Sequence, residues 1–427
     1  MVRGAACSSR SRSMMTPSTV DGVRPAAGQL YAFVGGSTPS RGRGGSVVGS
    51  APTRWSSESE VVRNPVESGR CVVIKVGSSS LARDSGGIDD ASLNRTVDQV
   101  AGAAAGGYRP VLVSSGAVAA GLPALGLEAR PNDLPGLQAA AAVGQGLLMH
   151  HYAAAFARHG IVVGQVLLTR DVLANRTQYL HARETISRLL GLGVVPIVNE
   201  NDTVTVDELR LGDNDRLAAL VCHLVEAAIL IILTDTGGLF SDDPRVNESA
   251  ELLSAVQHND AVLDDLHRAT TRGVFGSGGV ATKIAAARMA AWSGVPTVIA
   301  DANNIEVVGQ SLRGDDVGTW IAPRPSGLSA RKLWIAFGVP SRGELHIDEG
   351  AVAAIGEDGR SLLAVGIRDV SGDFVAGDAV VVVDGDGNTI AKGLTRLGSS
   401  SVRETAGKHS DLAGGAVIHR DDLVVLV

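Results

Sequence analysis

The chain has 427 residues, of which 44% are apolar and 19% are charged, and its formal net charge is −7. That length exceeds what one hydrophobic core usually supports, so two or more folded units are expected. The acidic balance excludes a broadly basic nucleic-acid-binding surface, and an aromatic content of 3% leaves few platforms for base stacking. No run of about 18 strongly apolar residues occurs, so no membrane span is predicted.

The cysteines are three in number, Cys7, Cys71 and Cys222, and they lie far apart. They form neither a CxxC metal pair nor an even disulfide framework. This pattern is typical of reduced thiols, so we expect a cytoplasmic protein.

Residues 1–70 differ from the rest of the chain, because they contain nine Arg, no Lys and four acids, with much Ser, Gly and Pro. No helical or strand periodicity is sustained, which predicts a disordered N-terminal extension. Its Arg- and Ser-rich start, with no acid before Asp21, is similar to an organelle transit peptide. We favour a dispensable tail or an over-extended start, because no clean amphipathic helix can be drawn through the segment.

From Cys71 onward, short apolar runs alternate with helical patterns. The predicted strands are 71–74, 111–113, 161–168, 194–198, 229–233 and 295–299, and the predicted helices are 89–106, 136–159, 172–190, 215–226 and 281–293. This alternation predicts an α/β fold with an open, mostly parallel sheet sandwiched by helices. Ligands bind such sheets at the carboxyl ends of strands, so the polar loops at those ends are the candidate site.

A second boundary is a linker at 323–330, which contains Pro, Ser and Gly. Beyond it, 332–337, 379–383 and 423–427 are predicted as short strands of a small β-rich domain. The predicted organisation is therefore an extension at 1–70, an α/β domain at 71–325 and a β-rich domain at 328–427. From residue 328 the chain has ten basic and fourteen acidic residues, a balance that argues against RNA binding.

Four polar loops follow predicted strands, and each has a structural interpretation beside a functional one. Loop 75–79 can place an ammonium and backbone N–H groups on a phosphate, although a strand-end lysine is often simply solvated. Loop 114–117 opens a helix, whose N-terminus favours anions. The amides and carboxylates of 198–202 can bind a small substrate or stabilise a turn. Loop 212–215 supplies carboxylates that can organise cations or cap a helix.

A fifth polar region has two parts, LTDTGGLFSDDPR at 233–245 and a glycine loop at 273–283 that opens a helix and ends in Lys283. Glycines let the backbone approach phosphate oxygens, and the helix dipole favours the anion. Lys75 and Lys283 then lie on different loops, with acids on a third, and phosphoryl transfer needs such a set. The sequence contains no G-x-x-x-x-G-K-[ST] element, which excludes a P-loop NTPase.

The most specific stretches are IKVGSSSL at 74–81, SSGAVAAG at 114–121, AAVGQ at 141–145, QVLLTR at 165–170, PIVNEND at 196–202, GDND at 212–215, LTDTGGLFSDDPR at 233–245 and GSGGVATK at 276–283. In order and spacing they resemble the glutamate 5-kinase family of the amino acid kinase superfamily. The resemblance runs from about Cys71 to the end, and 331–427 is similar to a PUA domain, notably GELHIDEGA at 343–351. It implies ATP-dependent phosphorylation of the γ-carboxylate of L-glutamate, the first step of proline biosynthesis.

The resemblance also implies roles for single residues. The catalytic positions are Lys75 and Lys283 on the phosphates, Asp215 orienting the two lysines, and Asp213 beside it. The glutamate-binding positions are Ser115, Asp202 and Asn214. The nucleotide-binding positions are Lys75, Thr234, Asp235, Ser277, Gly278, Gly279, Val280, Ala281, Thr282 and Lys283. The family often has Thr at Ser277, Met or Ile at Val280 and Ser at Ala281, so the hydroxyl contact at Ala281 is in doubt.

The implied ligands are ATP with Mg²⁺ and L-glutamate, and no side chain is assigned as a metal ligand. The resemblance further implies feedback inhibition by proline, functional coupling to a glutamyl-phosphate reductase and a homo-oligomer. Two alternatives stay open. One is an amino acid kinase relative that acts on a different carboxylate, carbamate or phosphate, and the other is a PUA-type RNA-binding protein.

Overall fold

An eight-stranded sheet forms the centre of the first domain in the computed structural model of the chain. The structure describes residues 62–83, 86–169, 172, 175–204, 214–271, 279–325, 327–408 and 415–426. The strands are β1 Cys71–Val76, β2 Arg109–Ser114, β3 Val163–Leu168, β4 Val195–Glu200, β5 Ile229–Thr234, β6 Ala255–Val256, β7 Thr297–Asp301 and β8 Thr319–Ile321. The helices are α1 Asp90–Ala105, α2 Ala117–Ala124, α3 Leu134–Ala157, α4 Arg176–Gly191, α5 Asn214–Val225, α6 Ala261–Thr271, α7 Gly279–Trp292 and α8 Val307–Arg313.

The strand order of this sheet is β3-β4-β2-β1-β5-β7-β8-β6. Neighbouring strands are parallel except for β7 and β8, which confirms the open, mostly parallel sheet. Strands β1 and β5 are buried at every position, so apart from Lys75 and Thr234 their sequences are apolar runs rather than alternating ones. Strands β4, β2, β1 and β5 are consecutive neighbours, so the loops at their carboxyl ends share one edge of the sheet.

Helices cover both faces of the sheet, and each face has its own core. Along β1, Val72 and Ile74 belong to the core shared with α1, α2, α3 and α8, whereas Val73 belongs to the core shared with α5, α6 and α7. Side chains alternate along a strand, so Lys75 lies on the same face as Val73, toward α5. The predicted sandwich of helices around the sheet is therefore confirmed.

Helices α2 and α3 pack with their backbones almost in contact. A Cβ placed on Gly144 of α3 would lie 1.8 Å from the carbonyl oxygen of Ala117, and one on Gly121 of α2 would lie 2.1 Å from that of Ala140. Only glycine permits so close an approach. Because only two residues separate the end of β2 from the start of α2, this contact fixes α3 relative to the carboxyl end of that strand.

The second domain contains a six-stranded sheet with the order β10-β14-β13-β12-β9-β11. Its strands are β9 Ser341–Ile347, β10 Leu362–Leu363, β11 Ile367–Gly372, β12 Ala379–Val383, β13 Thr389–Thr395 and β14 Ala416–Val425, and its helices are α10 Glu349–Gly356 and α11 Ser399–Thr405. All neighbouring pairs are antiparallel except β9 with β12. The predicted β-rich domain is confirmed.

The strand predicted at 332–337 is wrong, because this segment is helical. Helix α9 spans Ala330–Leu333, and a π-helical turn spans Trp334–Gly338. Leu333, Ile335 and Ala336 are all buried in one cluster at the junction of the two domains, and Ile335 and Ala336 are consecutive. Burial of consecutive residues, rather than of every second one, is what a helical turn provides.

The domain junction is partly apolar and partly polar. Trp292, the last residue of α7, lies in the same cluster as residues of β12, β13 and β14. The guanidinium of Arg324 lies 3.8 Å from the centre of the Trp292 ring. Lys392 of β13 is buried and donates hydrogen bonds to the carbonyl oxygens of Ala336, at 3.2 Å, and Val339. Lys392 therefore closes the carbonyl end of the π-helical turn.

The described end of the N-terminal segment, 62–70, contacts the first domain. Arg63 forms an ion pair with Asp316 and donates to the carbonyl oxygens of Ser254 and Val317, at 2.5 and 2.8 Å. The backbone N–H of Val66 donates to Leu312. Residues 62–70 of the predicted extension thus pack on the first domain, while residues 1–61 lie outside the described residues. Across the part of the chain that the structure describes, no helix is long and apolar enough to cross a membrane.

Candidate active site

Two lysines from different elements converge on one buried carboxylate. Lys75 Nζ, at the end of β1, lies 2.5 Å from Asp215 Oδ1, and Lys283 Nζ, in the first turns of α7, lies 3.5 Å from Asp215 Oδ2. Thr282 Oγ1 donates to the same Asp215 oxygen at 2.8 Å, and Lys283 also donates to the carbonyl oxygen of Gly279 at 3.2 Å. The carboxylate therefore holds both ammonium groups in one place.

Burial and charge act in opposite directions on Asp215. The side chain is only 3% exposed, and burial alone would raise its pKa. The positive charges of Lys75 and Lys283 lower the pKa, and hydrogen bonds from Lys75 and Thr282 lower it further. Together they outweigh burial, so the pKa of Asp215 lies below its ordinary value. Asp215 is thus a permanent anion at neutral pH and acts as an organiser of cations rather than as a proton carrier.

The side chain of Asn214, next to Asp215, belongs to a second buried group. Its Nδ2 carries two hydrogens, which three acceptors share: the carbonyl oxygen of Ser114 at 2.9 Å, Ser115 Oγ at 3.0 Å and Asn199 Oδ1 at 2.8 Å. Its Oδ1 is buried and has no hydrogen-bond partner among the described residues. The side-chain amide of Asn214 therefore joins the start of α5 to the carboxyl ends of β2 and β4. Its Oδ1 remains available as a hydrogen-bond acceptor.

Asp202 lies two residues beyond the end of β4. Burial, with a further contribution from Glu200, raises the pKa of Asp202 to about 6, against a lowering by Arg130. Its carboxylate is therefore ionised at neutral pH but close to titration, and an ammonium group placed beside it would be attracted.

The opposite side of the lysine pair is formed by β5 and α7. Thr234, the buried last residue of β5, donates from Oγ1 to the exposed carboxylate of Asp235 at 3.1 Å. Helix α7 begins at Gly279 and continues through Val280, Ala281, Thr282 and Lys283, so its positive N-terminus lies beside the lysine pair. This arrangement suits the phosphates of a nucleotide.

The structure brings together much of the predicted site. Lys75, Lys283, Thr282 and Asp215 are in contact, and so are Ser115 and Asn214. The predicted positions Asp213, Ser277 and Gly278 lie outside the described residues. Within the described ranges, no group of three or more His, Cys, Asp or Glu side chains is arranged to hold a metal ion.

Sequence reasoning missed a layer of side chains behind Ser115 and Asn214, two of the positions predicted to bind glutamate. Asn199 donates from Nδ2 to Gln145 Oε1 at 2.8 Å, and the hydroxyl of Tyr152 lies 2.7 Å from Ser114 Oγ. Gln145 belongs to the stretch AAVGQ, which was singled out as a motif but given no role, and Tyr152 gave no signal beyond being an apolar helix position.

The fold and the site define the class of protein. The family model for the amino acid kinase family matches residues 70–301, and that for the PUA domain matches residues 343–412. An open α/β domain with lysines at its strand and helix ends, followed by this second domain, is therefore an amino acid kinase carrying a PUA domain.

Within that class, the chain belongs to the glutamate 5-kinase family. The glutamate 5-kinase of Marinomonas sp. is 45% identical over 373 residues, which are 86% of this chain and 100% of that protein. The glutamate 5-kinase of Frankia casuarinae is 48% identical, covering 85% of this chain and 98% of that protein. That of Gloeobacter violaceus is 47% identical, covering 83% and 99%.

Proposed function

We propose that this chain catalyses the transfer of the γ-phosphate of ATP to the side-chain carboxylate of L-glutamate, giving glutamyl 5-phosphate and ADP. This reaction is the first step of proline biosynthesis. The observation that carries the proposal is the meeting of Lys75 and Lys283 at one buried aspartate, directly beside the amide of Asn214. The membership in the glutamate 5-kinase family supports glutamate as the acceptor.

The reaction needs positioning and charge stabilisation more than proton transfer. The γ-carboxylate of glutamate is ionised at neutral pH, since its pKa is about 4, so no general base is required. One of its oxygens attacks the γ-phosphorus in line. A new P–O bond forms as the bond to the β,γ-bridging oxygen breaks, and ADP leaves with that electron pair. Lys75 and Lys283 stabilise the negative charge on the transferring group, and Asp215 keeps the two ammonium groups in place.

We assign the nucleotide to the side formed by β5 and α7. Thr234 and Asp235 contact the nucleoside part, and the first turn of α7, from Gly279 to Lys283, binds the phosphates with its N–H groups and its dipole. Ser277, Gly278 and Asp213 lie outside the described residues, and the family resemblance alone assigns Ser277 and Gly278 to nucleotide binding and Asp213 to catalysis.

We assign glutamate to the side formed by β2, β4 and the start of α5. Ser115 and Asn214 bind its polar groups, and the free acceptor Asn214 Oδ1 suits its ammonium group. The carboxylate of Asp202 is the second partner for that ammonium group. This placement directs the side-chain carboxylate of glutamate toward the lysine pair.

Mg²⁺ is proposed to enter with ATP. Mg²⁺ that enters with a nucleotide is usually held by one or two carboxylates together with phosphate oxygens and water. Bound there, Mg²⁺ would neutralise charge on the phosphates. The positions around the lysine pair are compatible with this arrangement, because they supply cations and hydroxyls for the remaining phosphate oxygens.

Other features of the function are also proposals. The product is an unstable acyl phosphate, so we propose functional coupling to a glutamyl-phosphate reductase, with proline as feedback inhibitor and a homo-oligomeric enzyme. A rate that is unchanged at saturating proline would contradict the inhibition. We propose a cytoplasmic location, because Cys71 and Cys222 are free and buried, as in reducing compartments. The PUA domain is proposed to be structural or regulatory rather than RNA-binding, since its sequence is acidic.

Hydroxylamine trapping of the acyl phosphate, with ADP formation measured in parallel, tests the main proposal. Wild type should form hydroxamate only when both glutamate and ATP are present. Lys283→Ala should lower kcat by about 10²–10³, the usual cost of removing one group that stabilises transition-state charge. Lys408→Ala, which removes an exposed lysine of the second domain, is the matched control and should retain full activity. Absence of glutamate-dependent turnover in a wild type that binds ATP would refute glutamate as the substrate.

A further inference from the structure

Hydrogen-bond chemistry determines which end of the Asn214 amide, nitrogen or oxygen, faces Ser114. Its Nδ2 lies 2.9 Å from the carbonyl oxygen of Ser114, which can only accept a hydrogen bond. The atom facing Ser114 must therefore be the nitrogen. The oxygen of the same amide consequently points away and is left buried without a partner among the described residues.

The direction of the Asn199 amide is fixed in the same way from the other end. Its Oδ1 accepts from the backbone N–H of Glu200 at 2.9 Å, and a backbone N–H can only donate. Asn199 Oδ1 also accepts from Asn214 at 2.8 Å, so its Nδ2 must face Gln145 Oε1, also at 2.8 Å. Gln145, Asn199 and Asn214 therefore form a relay of three amides with one allowed direction.

Each end of this relay is a buried polar atom without a partner among the described residues. At one end Asn214 Oδ1 is an acceptor without a partner, and at the other end Gln145 Nε2 is a buried donor without a partner in the described part of the chain. Buried polar atoms of this kind are costly unless a ligand satisfies them. The acceptor is suited to the ammonium group of an amino acid.

Helix α3 anchors both sides of Asn214. Gln145 and Tyr152 are seven residues apart, two turns, and so lie on the same face of the helix. Ser114 Oγ donates to the carbonyl oxygen of Ser115 at 2.9 Å, so at its 2.7 Å contact with Tyr152 it accepts from the phenol. Burial raises the pKa of Tyr152 above its ordinary value, so this hydroxyl keeps the proton that it donates. The glycine contacts between α2 and α3 hold both side chains at this depth.

We propose that Gln145 is a positioning residue for glutamate. Its Oε1 accepts from Asn199 Nδ2 and so holds in place the amide whose Oδ1 accepts from Asn214. Asn214 Oδ1 is thereby held in position as the acceptor for the substrate ammonium group. Tyr152 supports the same amide from the Ser114 side. This inference rests on the proposed function, because it takes glutamate as the ligand of the Asn214 side.

The test measures the KM for glutamate and for ATP separately in Gln145→Met, a variant of similar length without the acceptor oxygen. Asn199 Nδ2 then loses its acceptor and is left buried without a partner, so the amide that supports Asn214 is held less firmly. We expect the KM for glutamate to rise about tenfold or more, with the KM for ATP unchanged. Gly146→Ala is the matched control on the neighbouring residue, since its Cβ meets no atom within 4 Å, and both KM values should stay at the wild-type level. Tyr152→Phe should shift the KM for glutamate in the same direction.

Each outcome decides the inference. A rise confined to glutamate in both variants supports it. A KM for glutamate within about twofold of wild type in both, or an equal rise for ATP that reports general damage, overturns it. If Gln145→Met does not fold, Tyr152→Phe, which loses a single hydroxyl group, carries the test alone. A wild type without glutamate-dependent turnover would instead overturn the proposed function, so the two failures are distinct.

Discussion

Replacing Asp215 by Asn should damage stability and catalysis together, because one carboxylate holds two ammonium groups. At an effective dielectric constant of about 20, its attraction to Lys75 at 2.5 Å is about 7 kcal/mol, and that to Lys283 at 3.5 Å is about 5 kcal/mol. Desolvation offsets much of this attraction, but the Lys75 side chain is only 4% exposed and would be left as a buried charge. Leaving such a charge unpaired costs about 3–5 kcal/mol.

We therefore expect Asp215→Asn to lower the apparent Tm by about 6–10 °C and kcat by at least about 10². The pKa of Asp215 is lowered in the folded state, so its stabilising effect is complete above the unfolded pKa of about 4 and is lost as pH falls through the folded value. The Tm difference between variant and wild type should thus be the same at pH 6 and pH 8. Differential scanning fluorimetry and the hydroxamate assay measure both effects.

Two further variants separate the causes. Lys75→Met combined with Asp215→Asn removes both charges of the pair, so the Tm should recover while activity does not. Asp315→Asn breaks the Arg313–Asp315 ion pair, whose side chains are 58% and 44% exposed, and should cost less than about 1 kcal/mol. An Asp215→Asn protein with the Tm and the kcat of wild type would refute the assigned role of this carboxylate.

Two other predictions concern the glutamate side. The pKa of Asp202 is raised to about 6, so kcat/KM for glutamate should fall as the pH drops through about 6. Asp202→Asn should lower kcat/KM at pH 8 and should remove this fall near pH 6. A fall near pH 6 that persists in the variant would contradict the assignment of Asp202. Gly144→Ala places a Cβ 1.8 Å from the carbonyl oxygen of Ala117, so the apparent Tm should fall by several degrees, at about 1–3 kcal/mol for overpacking, and the KM for glutamate should rise. Gly146→Ala meets no atom within 4 Å, and equal Tm values for these two glycine variants would show that the close α2–α3 contact is unimportant.

The first domain was predictable from sequence because its signals are local. Continuous apolar runs such as β1 and β5 are buried on both faces, and each ends in a polar loop. That the loop of Lys75 belongs to the site followed from topology, since the carboxyl ends of neighbouring parallel strands share an edge, whereas the role of Asp215 beside it came from the family resemblance. The turn Trp334–Gly338 was mispredicted because its environment is a domain junction, and no local pattern records which neighbours will cover it.

The layer behind Asn214 could not be predicted, because its contacts join residues that are distant in sequence. Tyr152 and Ser114 are 38 residues apart, and Asn199 and Gln145 are 54 apart. A glutamine and a tyrosine on an alanine-rich helix carry no sign of the partners they meet. The glycines that set the depth of that helix, Gly144 and Gly121, likewise read as helix-weakening residues until their close contacts with α2 and α3 are known.

The start of α5 connects the two halves of the site. Asn214 and Asp215 are consecutive, and successive side chains on an α-helix point about 100° apart, so one can face β2 and β4 while the other faces β1 and α7. The amide of Asn214 belongs to the side assigned to glutamate, and the carboxylate of Asp215 sets the position of the two lysines. In-line transfer requires a fixed distance between the attacking carboxylate and the phosphate. Because Asn214 and Asp215 lie on one helical turn, the positions of the two substrates are fixed relative to each other. A change that rotates α5 should therefore impair binding of glutamate and stabilisation of the phosphoryl group together, whereas changes in α3 should affect glutamate alone.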